Sequence, residues 1–114
     1  MAASIQFVKG ISETVLADVQ LTRSRDKSTG TATFRFKNPD ALNDTSGDIT
    51  GMYLIDDEGV LYTNDVRVLF VKGQPKIIEA LYIMRSLVDW ERFMRFIKNY
   101  GDENGLTFIP ADSK

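Results

Sequence analysis

Two neighbouring segments of this chain carry apolar residues on both of the faces that a β-strand presents. Residues 66–71 and 76–84 show this pattern, and residues 72–75 between them have the length and composition of a hairpin turn. An antiparallel strand with one wet face alternates apolar and polar side chains. The two-sided pattern therefore predicts central strands, with another element covering each side of the sheet.

The element that covers one side is predicted to be a helix from Leu87 to about Tyr100. Ser86, with an acid three residues later, is a weak capping-box signal, and Gly101 or Gly105 ends the periodic segment. Apolar residues recur at helical spacing with charged residues opposite them. This pattern favours a long C-terminal helix packed on the sheet.

The apolar stripe of that helix spans an arc of roughly 180°, wider than the minimum of about 100° that seats a helix on one sheet. Its edge residues Phe96 and Tyr100 would therefore lie either at the surface, as a partner site, or beneath loops and the tail at residues 106–109. Of these two arrangements we favour cover by loops or tail.

Residues 31–37 show the clearest strand alternation in the chain. Ala32, Phe34 and Phe36 fall on one face and polar residues on the other, and a turn cluster at residues 26–30 precedes them. This is the pattern of a half-buried hairpin strand with a core face and a polar face.

Shorter signals complete a coarse fold prediction. They are two short strands before residue 25, a polar loop at residues 40–48, and a second hairpin formed by residues 50–55 and 60–62. A chain of 114 residues holds one ordinary core. We predict an α+β fold, a small antiparallel β-sheet or sandwich with the long C-terminal helix packed on it, as a single domain 1–114 with a variable tail at 109–114.

The residue types that this chain lacks exclude most familiar enzyme chemistry. There is no cysteine and no histidine, which removes disulfides, thiolate and imidazole metal ligands, and the Ser-His and Cys-His nucleophile pairs. The sequence contains no glycine-rich phosphate-binding loop and no calcium-loop pattern. We therefore expect a non-catalytic protein with no cofactor and no metal.

The chain also lacks the signals of membrane insertion and export. Its longest stretches without a charged residue are eight residues, at 1–8 and 104–111, whereas a spanning helix needs about twenty apolar residues. The first residues lack the basic start and long apolar run of a secretory signal. We expect a protein that does not cross a membrane and stays in a cytoplasm-like compartment.

Charge is distributed unevenly along the chain. Residues 40–65 hold seven acids and no base, although the whole chain has a net charge of only −2 and a pI near 5.1. Within this block, Asp56, Asp57 and Glu58 precede a glycine, as in a solvated hairpin turn, and they do not form the rigid cleft that paired catalytic carboxylates need. An acidic protein is also an unusual dedicated nucleic-acid binder.

The strand at residues 31–37 offers two functional interpretations. Exposed rings of Phe34 and Phe36 would suit a single-stranded nucleic-acid binder, but both rings share the face of Ala32, so core packing is the better explanation. The opposite face is polar and cationic and lies near other bases. It is either an ordinary solvent face or a docking surface, where an edge strand accepts an extended partner segment through main-chain hydrogen bonds. Its candidate residues are Arg23, Arg25, Thr31, Thr33, Arg35 and Lys37.

Several segments in a fixed order resemble one known family. They are residues 22–26, 30–36, 48–56, 82–86, 90–96 and 103–106. Together they are similar to the thirteen-kilodalton reaction-centre proteins of photosystem II, the Psb28 family, and the resemblance extends from Ile5 to Phe108. The chain departs from the usual family pattern at Leu87, Val88, Gly101 and in its longer tail, which leaves open the paralogue and the assembly stage.

The resemblance implies a non-catalytic photosystem II assembly factor. Such a protein transiently binds cytoplasmic-side loops and tails of reaction-centre core and inner antenna subunits, partly by β-strand addition, and protects the immature acceptor side. It would be a peripheral protein on the cytoplasmic or stromal side of the thylakoid membrane, attached through protein, with no nucleic-acid partner. We expect a monomer, with a dimer as the alternative. Arg92 and Arg95 on the polar helix face join the strand residues as expected partner contacts.

Overall fold

The computed structural model describes residues 3–43 and 49–106, together with the backbone of residues 111 and 112. The described residues form nine strands and two helices. In chain order these are β1 Ser4–Val8, β2 Ile11–Ser12, β3 Asp18–Arg23, β4 Gly30–Lys37, α1 Asp40–Asn43, β5 Met52–Asp56, β6 Gly59–Thr63, β7 Val66–Val71, β8 Gln74–Met84, α2 Leu87–Asn104 and β9 Ala111–Asp112.

The strands form two sheets that share one core with helix α2. One sheet has the order β2-β1-β5-β6, and the other has the order β7-β8-β4-β3-β9, with only the short β9 pairing parallel to its neighbour. Phe7 of the first sheet packs edge-to-face against Phe36 of the second, with ring centroids 4.9 Å apart. On the helix, Phe93 packs in the same way against Phe34. The predicted α+β arrangement is confirmed.

Strand β4 lies in the middle of the five-stranded sheet. It pairs with β8 over its whole length and with β3 from Gly30 to Arg35. Ala32, Phe34 and Phe36 are fully buried, which confirms the predicted alternation. Since both of its edges are occupied, β4 is not the edge strand that the docking interpretation of the sequence required.

The two-sided apolar hairpin is confirmed as β7 and β8, but its predicted setting was wrong in two respects. Strand β8 is internal, whereas β7 is the last strand of its sheet. On β8, Ile78 and Met84 are buried, while Ile83 on the opposite face is exposed to solvent. Within the described residues, cover lies on one side of this hairpin, because the first sheet and helix α2 both pack on that side. The other apolar face remains at the surface.

Helix α2 has a capping residue at each end. The hydroxyl of Ser86 accepts a hydrogen bond from the amide of Asp89, and Gly105 ends the helix in a left-handed conformation at φ 70°. The helix therefore continues through Gly101 for one more turn. Phe96 and Tyr100 are buried, which confirms the favoured arrangement, and part of the cover is the segment before β3, whose Ala17 amide donates to the Tyr100 hydroxyl at 3.2 Å.

Three smaller features differ from the sequence prediction. Residues 40–43 of the predicted loop form the short helix α1, while residues 44–48 lie outside the described residues. Strand β2 has only two residues and was not predicted. In the variable tail, the backbone of β9 pairs with Thr22 and Arg23 of β3. Short elements of this kind depend on tertiary pairing, because they contain too few residues for a detectable period.

Candidate partner-binding surface

The face of the five-stranded sheet that points away from the core brings together many of the polar residues that the sequence indicated. We call this surface the outer face. Its members are Asp18, Gln20 and Thr22 on β3, Thr31, Thr33, Arg35 and Lys37 on β4, Ile77, Glu79, Leu81 and Ile83 on β8, and Arg67 and Leu69 on β7. These residues lie on the same face because of the strand register, since residues directly opposite each other in neighbouring strands share a face.

An ion-pair cluster lies at the middle of the outer face. Arg35 donates to one carboxylate oxygen of Glu79 at 2.9 Å, and the Nε of Arg67 donates to the other at 3.0 Å. These bonds, first from Arg67 and then from Arg35, hold the pKa of Glu79 below its usual range. Glu79 is therefore ionised at neutral pH and positions both guanidinium groups at the surface.

The cluster makes the outer face less cationic than the sequence of β4 alone suggests. Asp18 lies directly opposite Arg35 on β3, and Glu79 lies opposite it on β8. Opposite charges on adjacent strands stabilise the pairing of those strands. The surface therefore combines paired charges with Lys37 at the end of β4, for which the described residues supply no ion-pair partner.

Two shallow depressions flank the cluster. One of about 240 Å³ is lined by Asp18, Gln20, Thr33, Arg35 and Glu79. The other, of about 400 Å³, is lined by Thr33, Asp65, Arg67, Glu79, Ala80 and Leu81. Both are open to solvent and mix main-chain, charged and aliphatic groups, which suits a peptide segment rather than an enclosed small molecule.

The outer face ends at an open main-chain edge along β7. The amide of Leu81 donates to the carbonyl of Asp65 at 2.9 Å, so it points toward the β7 side of β8. Amide directions alternate along a strand, and Glu79 therefore points the same way, toward its partner Arg67. The amide and carbonyl of Val68 then point outward, where no strand of the described residues pairs with them.

The structure separates Arg23 and Arg25 from the outer face. The Arg23 guanidinium lies 4.7 Å from the centroid of the Trp90 ring, on the helix side of the sheet, and donates to the carbonyl of Lys27 at 3.1 Å. Cation–π packing of this kind stabilises a side chain against a ring. Arg25 is exposed in the β3–β4 turn. Arg23 is therefore a packing residue, whereas Arg25 is free to contact a partner.

Arg92 and Arg95 bind the acidic turn between β5 and β6. Arg92 makes a bidentate pair with Asp56 at 2.7 and 2.9 Å, and Arg95 makes one with Glu58 at 2.8 and 3.0 Å. The Asp56 side chain is only 2% exposed. Residues 56–58 are thus a hairpin turn, as predicted, but the turn is clamped to the helix and only partly solvated.

Sequence reasoning missed Glu79, Arg67 and the β7 edge. The pairing of Arg67 with Glu79 had a usable signal, since the two residues carry opposite charges on facing strands of a predicted hairpin, at similar distances from its turn. The open edge of β7 had no such sequence signal, because the order of strands in a sheet cannot be predicted from a local pattern. Phe34 and Phe36 are fully buried, so neither ring is accessible to a nucleic-acid base.

In the part of the chain that the structure describes, no cluster of acidic side chains has the arrangement to hold a metal ion. Neither of the two described helices is both long and apolar enough to span a bilayer.

Comparison with known proteins assigns the chain to a family. Residues 5–108 match the family model described as Psb28 protein. The chain is 60% identical over 114 residues to the Photosystem II reaction center Psb28 protein of Phaeodactylum tricornutum, covering 97% of this chain and 99% of that protein. The same-named protein of Gracilaria tenuistipitata var. liui is 60% identical over 112 residues, with 96% and 98% covered. That of Synechococcus elongatus is 55% identical over 112 residues, with 97% and 100% covered. Because both the family model and these relatives span nearly the whole chain, this protein belongs to the Psb28 family.

Proposed function

We propose that this protein is a non-catalytic assembly factor of photosystem II. It binds cytoplasmic-side loops and tails of reaction-centre core and inner antenna subunits in incomplete complexes, from the cytoplasmic or stromal side of the thylakoid membrane. The observation that carries the proposal is the match to relatives that are named as photosystem II reaction-centre proteins and are covered almost completely.

The outer face and the β7 edge support binding to a polypeptide. An extended segment that pairs with β7 gains main-chain hydrogen bonds at the edge and places alternate side chains over the outer face. The aliphatic strip of Leu69, Leu81 and Ile83 offers apolar contact, and the flanking charges offer orientation. Binding of this kind requires no reactive group.

The proposed contact set is centred on β4. Thr31, Thr33, Arg35 and Lys37 lie on the outer face, and Arg25 projects from the β3–β4 turn. The three other candidate arginines lie away from the outer face, and each contacts another part of the chain there. They are Arg23 on Trp90, Arg92 on Asp56 and Arg95 on Glu58.

Differential affinity explains how such a factor acts on an incomplete complex. A protein that binds only the immature conformation of a loop stabilises that conformation by the difference in its two binding free energies. Subunits that later bind the mature conformation then displace the assembly factor. The factor therefore holds the loops of the unfinished acceptor side reversibly in their immature conformation.

Capture of photosystem II from solubilised thylakoids tests the proposal. The tagged protein should recover incomplete complexes containing core and inner antenna subunits, identified by mass spectrometry. Replacing Arg35 with Gln should weaken capture about fivefold, because an exposed charged contact contributes up to about 1 kcal/mol. Arg95→Gln is the matched control, since it also removes one arginine from an exposed ion pair, but away from the outer face. Recovery of no photosystem II subunit by the unmodified protein would refute the function, and equal loss with both variants would refute the surface.

Hydrogen exchange tests strand addition at β7 separately. In the free protein, the outward amide of Val68 should exchange quickly, whereas the amides of Arg67 and Leu69, which bond to β8, should be protected. Binding should slow exchange at Val68 and leave its two neighbours nearly unchanged. Unaltered exchange at Val68 in a complex that has formed would place the partner elsewhere and leave the assembly function intact.

A further inference from the structure

The hairpin between β7 and β8 projects a tight turn from one end of the five-stranded sheet. Val71 pairs with Gln74, so the loop is Lys72–Gly73 alone. Both residues have positive φ, 52° and 79°, which is the geometry of the type I′ turn that joins twisted strands. A register shift between Leu69 and Phe70 twists the strand just before the turn. Lys72 therefore lies at the very tip.

The tip exposes large apolar side chains. Phe70 is 64% exposed and Val71 is 46% exposed, although both belong to a strand whose earlier residues pack partly against the core. Single exposed aliphatic residues are common on protein surfaces. An exposed phenylalanine next to an exposed valine at a turn forms an apolar patch, and such patches often mark interaction sites. Phe70 and Val71 end β7 beyond its register shift, so a partner segment that pairs around Val68 does not need to reach them.

The surroundings of these two residues are positively charged. Residues 66–78 contain three basic residues and no acid in a protein whose net charge is −2. Lys72 and Lys76 are exposed on the hairpin, and Lys37 of β4 is brought alongside, because its neighbour Asn38 donates to the carbonyl of Lys76 at 2.7 Å. The next acid along β8, Glu79, is already bonded to Arg35 and Arg67.

We propose that this hairpin tip inserts into the headgroup layer of an anionic lipid bilayer. Phe70 and Val71 would enter the boundary between headgroups and acyl chains, where amphipathic and aromatic side chains are favoured. Lys37, Lys72 and Lys76 would lay their aliphatic stems along that boundary and direct their ammonium groups to lipid phosphates. The tip holds the five-stranded sheet end-on to the membrane, with the outer face free to bind protein. The apolar tip is separate from the outer face, although Lys37, at the end of β4, belongs to the outer face and borders the tip.

Vesicle flotation tests the proposal with purified protein and no photosystem II. The protein should float with vesicles made of equal parts phosphatidylglycerol and phosphatidylcholine, and should remain in solution with phosphatidylcholine alone. Binding should weaken with added salt, because part of it is electrostatic. The double variant K72E/K76E should bind the anionic vesicles at least about tenfold more weakly, and F70S/V71S should lose a similar amount.

A matched control lies on helix α2. Val88 and Lys98 are exposed there, and the V88S/K98E variant makes the same kinds of change away from the tip, so it should bind as the unmodified protein does. A direct readout comes from F70W. Its new indole should shift its emission to the blue with anionic vesicles, whereas the native Trp90 is already buried and serves as the baseline.

Three outcomes would overturn the proposal. They are the absence of flotation with anionic vesicles, equal loss of binding in the helix and hairpin variants, and an unshifted F70W emission in protein that has floated. Capture of photosystem II by K72E/K76E separates the two proposals. If that variant fails to capture while the unmodified protein ignores vesicles, the tip is a protein contact and the lipid proposal fails.

Discussion

Gly30 shows how closely single residues of this protein are packed. It begins β4 opposite Arg23 on β3, and the Trp90 ring lies directly over it. A Cβ atom added at this position would lie 2.5 Å from two carbons of that ring and 3.0 Å from the carbonyl oxygen of Thr22. Glycine is required here by the close approach of the indole, because no side chain fits beneath it.

We therefore expect Gly30→Ala to lower the free energy of unfolding by about 2 kcal/mol, as overpacking of a fitted site does. Urea unfolding followed by far-ultraviolet circular dichroism measures this in every variant, because that signal does not depend on Trp90, the only tryptophan. In a W90L background the same substitution should cost much less, because the ring that it meets is gone. An equal cost in both backgrounds would show that the contact with Trp90 is not the cause.

At the scale of elements, helix α2 is attached to the first sheet by the turn between β5 and β6. The two ion pairs of this clamp differ in burial although both are bidentate. Asp56 is almost fully enclosed beneath Arg92, whereas Arg95 is 55% exposed in its pair with Glu58. Removing one member of a buried pair leaves an uncompensated charge, and removing an exposed member leaves a hydrated one.

Arg92→Ala should therefore destabilise the protein by about 3 kcal/mol, because among the described residues Asp56 would keep one donor, the amide of Glu58 at 3.0 Å. Arg95→Ala should change the stability little. Thermal unfolding of the two variants, side by side at low and high salt, checks the contrast. Comparable losses in both would mean that burial does not separate the two pairs.

At the scale of the whole molecule, several surface carboxylates have lowered pKa values. Hydrogen bonds from Ser28 and then Ser24 lower the pKa of Asp26 from its ordinary 3.8 to about 2. The pKa is also lowered at Glu79 by Arg67 and Arg35, at Glu58 by Arg95, and at Asp40 by Thr14. Each group is held ionised by a neighbour that the unfolded chain does not provide.

Acid should therefore destabilise the fold. Because each folded pKa lies below its unfolded value, the unfolded state binds more protons as the pH falls, and the contribution present at neutral pH is lost below about pH 4.5. Urea unfolding measured from pH 7 to pH 2 should show this decline, and high salt should reduce the part that comes from the arginine pairs of Glu58 and Glu79. E79Q should decline less steeply than the unmodified protein. A stability that rises on acidification through this range would contradict the assignment.

The core of the protein positions both of its proposed binding surfaces. The core of two sheets and one helix holds β4 in the centre of a surface whose edge and outer face are open to a partner. The hairpin tip at one end adds an apolar and basic contact of a different chemistry. Under the proposed function, the protein acts through the surfaces that its fold leaves exposed.

Local sequence patterns determined the longer elements of this protein, whereas the short elements α1, β2 and β9 were not predicted. The alternation in β4, the stripe and caps of helix α2, and the hairpin turns could be predicted because side-chain period and backbone dihedral preferences are set by residues near in sequence. The family could be identified from the sequence for the same reason, as it rests on the order of such segments. The candidate residues of β4 were likewise placed together on one face.

Only the tertiary structure decided which strand forms the edge of the sheet, which apolar face stays exposed, and which arginines form ion pairs within the chain. Asp56 and Arg92 are 36 positions apart, and Arg35 and Glu79 are 44 apart. Pairs at such separations depend on strand order and on the packing of the helix, which follow from burial of the whole core. Local periodicity specifies where a side chain points along its own element, whereas the neighbours that it meets are selected by the free energy of the complete fold.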